Sequence, residues 1–237
     1  MKKFILTIAL LAMAVVAMAE SRTDKLLREL RNPKSEYVFV ISHRADWRNF
    51  PENSLEGIES AIRMGVDIVE LDVHRTADGE IVVCHDKTID RTTNGKGKIS
   101  ELTLDYIRTR NLRAGHKVVT RYKMPTLAEA LDVCKGRVLI NIDKGINYYD
   151  QILEMLAERN MVDQVIIKSS KSAEAMKQFF SKHDKNMLYM PIINYNAKSW
   201  ERHEGLFNNY LKTDLPFIAF EMCWDGSLPN EGKVFKK

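Results

Sequence analysis

Two runs rich in β-branched and aliphatic residues, 67–73 and 81–85, are separated by Thr76-Ala77-Asp78-Gly79-Glu80. A parallel return would need a crossover of a dozen residues or more, so the two runs must pair antiparallel as a hairpin. Asp78-Gly79 is a favoured pair for a two-residue turn, whose central positions require positive φ. A turn centred on these two residues sets Asp72 directly opposite His85. Glu70, two residues before Asp72, then shares their face. Local geometry alone therefore predicts two carboxylates and one imidazole converging on one side of a sheet. The flanking Ile68, Val69, Leu71, Val73, Ile81, Val82 and Val83 bury the strands. Ionised carboxylates in such a setting need a cation or a partner, and acids two apart on a strand offer hard oxygen ligands suited to Ca²⁺ or Mg²⁺. A cysteine pair or an HExxH run, as zinc would favour, is not found.

The rest of the chain alternates strand and helix patterns. Tyr37 to Ile41 reads as a buried strand, and Leu55 to Met64 as an amphipathic helix capped by Asn53 or Ser54 and stopped at Gly65. Further helices are predicted at 127–134, 149–160, 173–183 and 200–211. Strands are predicted at 138–142, 165–167, 187–193 and 217–223. This alternation means βα units on a parallel sheet. The expected fold class is α/β, a TIM-type (β/α)₈ barrel with about six of its eight units present over residues 37–237, since six barrel strands are counted where eight are needed.

At the amino terminus, Lys2 and Lys3 precede an apolar run from Phe4 to Ala19 that ends in Ala17-Met18-Ala19. This is the pattern of a cleavable export leader, shorter than the roughly 20 residues of a membrane span. Residues 1–19 are accordingly set apart as a signal peptide and residues 20–36 as a charged lead-in. The mature protein is expected in the periplasm or outside the cell, with no stable membrane anchor. The three cysteines, Cys84, Cys134 and Cys223, are odd in number and widely spaced, which is not a disulfide framework. A formal net charge of +4, with the basic residues scattered, argues against a nucleic-acid partner.

Catalytic faces of parallel barrels lie at the carboxyl ends of the strands. His43, Asp72 and Asp143 fall at such ends, and Arg44 suits bidentate capture of a phosphate. Lys144 and Lys168 also sit at strand ends, where for a lone lysine a solvated position is the better reading.

Together these residues resemble the glycerophosphodiester phosphodiesterase family. His43-Arg44-Ala45, Pro51-Glu52-Asn53, the acidic pair Glu70 and Asp72, the Asp78-Gly79 turn, His85-Asp86 and Arg91-Thr92-Thr93 follow the family's motifs in order and spacing over about fifty residues. The resemblance implies that His43 and His85 are the general acid and base. It implies that Glu70, Asp72 and Asp143 hold one divalent cation, Ca²⁺ or Mg²⁺. Arg44 would contact the phosphate and Glu52 would stand near the substrate or the metal; apart from the resemblance, Lys144 at its strand end is a candidate to add positive charge for the phosphate. The implied reaction cleaves a small glycerophosphodiester to glycerol 3-phosphate and an alcohol. Three departures stand out. Ala45 replaces the family's usual Gly, Asp143 its usual Glu, and its last two strands have no counterpart. Two alternatives remain: a related phosphodiesterase acting on inositol or other polar-headgroup diesters, and a catalytically silent exported binding protein of the same fold.

Overall fold

The computed structural model describes residues 20–183, 187–195 and 200–224. The proposed leader, 1–19, and the chain after 224 lie outside them. Six parallel strands form one curved sheet in the order β1 (Ile41–His43), β2 (Ile68–Arg75), β4 (Leu139–Asp143), β5 (Val165–Ser169), β6 (Leu188–Tyr195) and β7 (Glu221–Trp224). A short β3 (Ile81–Val83) runs antiparallel to the end of β2. The helices, in chain order, are α1 (Arg22–Arg31), α2 (Leu55–Arg63), α3 (Leu104–Thr109), α4 (Leu127–Cys134), α5 (Tyr149–Arg159), α6 (Ala173–Phe180) and α7 (Trp200–Leu211). This is the incomplete (β/α) barrel the alternation predicts.

Strand periodicity divides the sheet into two chemically different faces. Val69, Leu71, Val73, Ile140, Ile142, Val165 and Ile167 point outward into the main core, packed against Ile58, Leu131, Ile152 and Met176 of the helices. Residues between them point inward, and they change character along the barrel axis. At the bottom, Ile68, Leu139, Ile166 and Leu188 meet Leu26 and Leu27 of α1. The charged lead-in thus contains the helix that plugs the barrel floor. A capping box at Ser21 and Asp24 starts this helix, and Arg22 fixes it by donating to the carbonyls of Gly65, Val66 and Arg137. Higher up the same inward columns carry Glu70, Asp72, Asn141, Asp143 and Lys168. The floor is apolar and the mouth is charged.

Two expectations need correction. Tyr37 to Val40 are not a buried strand. Regular pairing begins only at Ile41, and Tyr37, Val38 and Val40 are exposed, because β1 pairs with β2 alone among the described residues. The apolar run marked a strand but not its burial. The hairpin register is also one residue out. Val73 faces Val83 and Arg75 faces Ile81, so Asp72 faces Cys84, whose amide donates to the Asp72 carbonyl at 2.9 Å. The loop has three residues, not two. Thr76 pairs with Glu80 and only Gly79, at φ 91°, adopts positive φ, as in a turn followed by a glycine bulge. The Thr76 hydroxyl bonds the Asp78 carboxylate at 2.5 Å and holds this wider loop.

Candidate active site

His85 still reaches the acidic pair, by a different route from the one expected. The chain leaves β3 after Val83 and bends. His74, whose imidazole burial pushes below its ordinary pKa, bonds the His85 carbonyl from Nε2 at 3.2 Å. The bend turns the His85 ring into a cavity of about 350 Å³ that is also lined by His43, Glu70, Asp72, Asn141, Asp143, Lys168 and Glu221. His43, Asp143 and Lys168 stand at or near the carboxyl ends of β1, β4 and β5, as barrel geometry requires, whereas Glu70 and Asn141 lie deeper along β2 and β4 and Glu221 opens β7.

Three of the predicted residues form one cluster. Carboxylate oxygens of Glu70, Asp72 and Asp143 all lie within 4.8 Å of one another, because β2 and β4 pair in a register that sets Asp72 level with Asp143. Three hard oxygen donors at that spacing fit one divalent cation. Two observations support the fit. The Lys144 ammonium stands between the carboxylates, 2.6 Å from Asp72 Oδ1 and 3.2 Å from Asp143 Oδ2, so the cluster accepts positive charge. Beside it the Asn141 Oδ1 atom is buried without a hydrogen-bond partner among the described residues.

Lys144 would point away from the cavity if β4 simply continued, since it follows Asp143. Its left-handed backbone, φ 63°, turns it back. The close approach of Ile167 and Ile142 at Gly145 leaves no room there for a side chain, so the turn is tightly packed. Arg44 and Ala45 are also left-handed, at φ 54° and 60°. That explains the glycine usual at position 45 and implies a cost of about 1 kcal/mol for alanine. The strained turn directs the Arg44 amide to Glu70 Oε2 at 3.0 Å. Its guanidinium lies between Glu52, at 3.5 Å, and Asp72, at 3.6 Å.

Electrostatics separates the two acids of β2. Burial and the neighbouring Asp72 charge raise the Glu70 pKa, with Lys168 opposing. Burial would raise Asp72 as well, but the hydrogen bond and charge of Lys144 hold it below its ordinary value. Lys144 and Lys168 are in turn held above theirs by these carboxylates, against the effect of burial.

Several contributors were given no role, or a different one, by the sequence. Lys168 is not solvated. It is 5% exposed and paired with Glu70 at 3.3 Å and Glu221 at 2.8 Å. Its position two residues after inward-facing Ile166 is the periodic signal that marks it. Asn53 donates to Asp72 Oδ2 at 3.1 Å. Asp86 accepts from His85 Nδ1 at 2.6 Å, and Arg91 bridges Asp86 and Glu52 with contacts of 2.7 Å to each. Those hydrogen bonds keep Asp86 well below the usual carboxylate range. Asn53, Asp86 and Arg91 lie inside the motifs already noted. Glu52 is accordingly gripped by Arg91, outside the carboxylate cluster. His43 lies 3.9 Å from Glu70 and is largely exposed.

Residues 43–198 match the model of the glycerophosphoryl diester phosphodiesterase family. A glycerophosphodiester phosphodiesterase of Caldanaerobacter subterraneus subsp. tengcongensis is 39% identical over 142 residues, covering 56% of this chain and 58% of the relative. Human glycerophosphodiester phosphodiesterase 1 is 41% identical over 100 residues, covering 41% of this chain and 30% of the relative. The chain thus spans less than two thirds of the length of these relatives. A Parabacteroides distasonis glycerophosphoryl diester phosphodiesterase structure shares the fold, with a TM-score of 0.69 over 83% of this chain and 67% of that one, at 23% identity. An Oleispira antarctica phosphodiesterase, solved with the product sn-glycerol-3-phosphate, superposes with a TM-score of 0.57 at 25% identity, covering 72% of each chain.

Proposed function

The chain belongs to the glycerophosphoryl diester phosphodiesterase family, and from that premise we propose that it hydrolyses glycerophosphodiesters to glycerol 3-phosphate and an alcohol. The observation that carries the reading is the convergence of His43 and His85 on the cavity that holds the Glu70, Asp72 and Asp143 cluster. Those three carboxylates would hold a Ca²⁺ or Mg²⁺ ion. A bound cation would act as a Lewis acid that offsets the charge of the phosphodiester.

The chain's own residues supply the remaining chemistry. Arg44, held only by long contacts of 3.5 Å to Glu52 and 3.6 Å to Asp72, supplies a guanidinium beside the cluster whose terminal nitrogens would pair with a nonbridging phosphate oxygen. Lys144 carries a second positive charge at the cavity. Asp86 accepts from Nδ1 of His85, which fixes the ring and leaves Nε2 to exchange a proton with substrate. One imidazole takes the proton from the glycerol 2-hydroxyl as it attacks phosphorus, and the other gives a proton to the departing alcohol oxygen. Water then opens the cyclic phosphate with the roles reversed. Lys168 pairs with Glu70 and holds it against Asp72.

The leader pattern supports export to the periplasm or beyond; sequencing the amino terminus of the exported protein tests it, with Glu20 expected first. The activity is tested by incubating the protein with glycerophosphocholine, first with Ca²⁺ or Mg²⁺ and then with chelator. Cation-dependent release of glycerol 3-phosphate is expected. Turnover that is restricted to an inositol phosphodiester moves the substrate class, and binding without turnover of either diester overturns the reading.

A further inference from the structure

The segment between β3 and α4 carries a charge imbalance that the composition of the whole chain conceals. Between Asp105 and Glu129 there are six basic residues, Arg108, Arg110, Arg113, Lys117, Arg121 and Lys123, and no carboxylate. Only Arg108 finds an ion-pair partner among the described residues, Glu129 at 2.6 Å. The others are placed without being neutralised. Arg110 lies over the Tyr106 ring and Arg121 near that of Tyr122, Arg113 reaches the Asp90 carbonyl at 3.4 Å, and Lys123 bonds Asn111 at 2.5 Å. Glu56 borders the same groove as Arg121 and Lys123 but lies outside ion-pair distance of either.

Much of this charge lies on a small hairpin, residues 112–122, in which Arg113 faces Val119 and the Thr120 amide donates to the Leu112 carbonyl. Cross-strand pairing puts Arg113 and Val119 on one face, Lys117 is exposed at the turn, and Arg121 is exposed in the bend where the hairpin ends. Tyr122 packs inward near Phe50. Exposed at the hairpin are Val118, at 60%, and Val119, at 48%. Trp47, 49% exposed, lines one cavity of about 210 Å³ with Arg113, His116 and Lys117, so it belongs to the same surface. Three large apolar side chains standing in water amid uncompensated cations are not needed for packing.

We propose that this hairpin, with Trp47, is a peripheral docking surface for a bilayer bearing anionic lipid. Lysine and arginine are drawn to the negative lipid surface, while valine and tryptophan side chains enter the interfacial layer. Nucleic acid would satisfy the charge but gives exposed valines no role, so the apolar tip favours lipid. The surface adjoins the active site, because Glu52 and Arg91 line the Trp47 cavity and Arg91 holds the Asp86 that orients His85. Docking therefore brings the mouth of the barrel to the membrane. Among the described residues no helix is long and apolar enough to cross a membrane. Attraction through the hairpin's cations is screened by salt, so the proposed association is salt-sensitive.

The test is co-sedimentation of the proposed exported form, beginning at Glu20, with phosphatidylcholine vesicles and with vesicles containing about 30% phosphatidylglycerol. The double variant Lys117→Ala, Arg121→Ala is expected to weaken binding to the anionic vesicles about 25-fold, at about fivefold per charge. Val118→Asp with Val119→Asp is expected to weaken it at least tenfold, that is by roughly the burial of one valine. Binding should also fall in about 1 M salt, where charges are screened beyond about 3 Å. Unchanged melting temperatures show that the variants fold. Variants that bind the anionic vesicles as the parent does overturn the proposal, as does duplex DNA displacing the parent from them. The readout is binding, so it decides the matter whether or not the diester is hydrolysed.

Discussion

Replacing Lys168 by Met keeps an unbranched side chain only one atom shorter and removes its charge from the barrel interior. The Glu70 carboxylate, 4% exposed and 3.3 Å from the Lys168 ammonium, then loses its closest cation. Breaking a buried pair on one side costs about 3–5 kcal/mol. Protonation sets a ceiling on the loss at each pH. Taking Glu70 from an ordinary pKa of about 4.3 to neutrality costs about 3.7 kcal/mol at pH 7 and about 1 kcal/mol at pH 5. The direction is fixed by linkage. Burial and Asp72 already raise Glu70, and removing Lys168 raises it further. The penalty therefore appears as pH rises through the unfolded value and is complete only above the folded one. The expected loss is about 3 kcal/mol at pH 7, which for a chain of this size lowers Tm by about 6–12 °C. Near pH 5 the loss should shrink to about 1 kcal/mol. Thermal melts of parent and variant in chelator at both pH values measure this. A Tm within a degree or two of the parent at pH 7, or an equal loss at both pH values, would refute the reasoning that Lys168 serves as the counter-ion of Glu70.

Asp86→Asn should leave the fold intact and lower kcat by about a hundredfold or more, since the carboxylate that fixes His85 is lost; steady-state kinetics beside circular dichroism checks this, and a loss under threefold contradicts it. Asp143→Asn should weaken Ca²⁺ or Mg²⁺ binding at least tenfold by titration calorimetry, since a charged donor leaves the cluster. Lys144→Ala should strengthen it, because the ammonium that occupies Asp72 and Asp143 is removed; weaker binding in that variant would show that Lys144 supports the cation site rather than competing for it.

The sequence made the fold legible wherever a segment carried its own period. Leu127–Cys134 reads as a helix with its observed bounds, and β4, β5 and β6 lie within two residues of their predicted limits. It failed where burial depends on a neighbour rather than on the segment. Tyr37 to Val40 have the composition of a core strand, yet Tyr37, Val38 and Val40 are exposed, since among the described residues only one strand pairs with β1. Asp78-Gly79 likewise marked the hairpin correctly, but not its loop length, which the Thr76 hydroxyl settles through Asp78 and Glu80. At the site, Glu70 and Asp72 were legible because strand alternation is a local rule, while Asp143 was seen only as a strand-end residue and joined to them through the family resemblance. Lys168, Asn141 and Glu221 were harder to find. A lone polar residue at a strand end reads as solvated until the shear of the sheet sets it against a charge on another strand. The basic hairpin escaped notice for a related reason: its cations balance acids elsewhere in the chain, so the net charge of +4 hides them.

The central claim is that His85 exchanges a proton with substrate beside the Glu70, Asp72 and Asp143 cluster. Its most direct test is the rate of glycerol 3-phosphate release from glycerophosphocholine by the parent and by His85→Ala, side by side with the divalent cation present. The account predicts turnover by the parent and a loss of at least about a hundredfold in the variant at an unchanged Tm. Equal rates in the two proteins would contradict it.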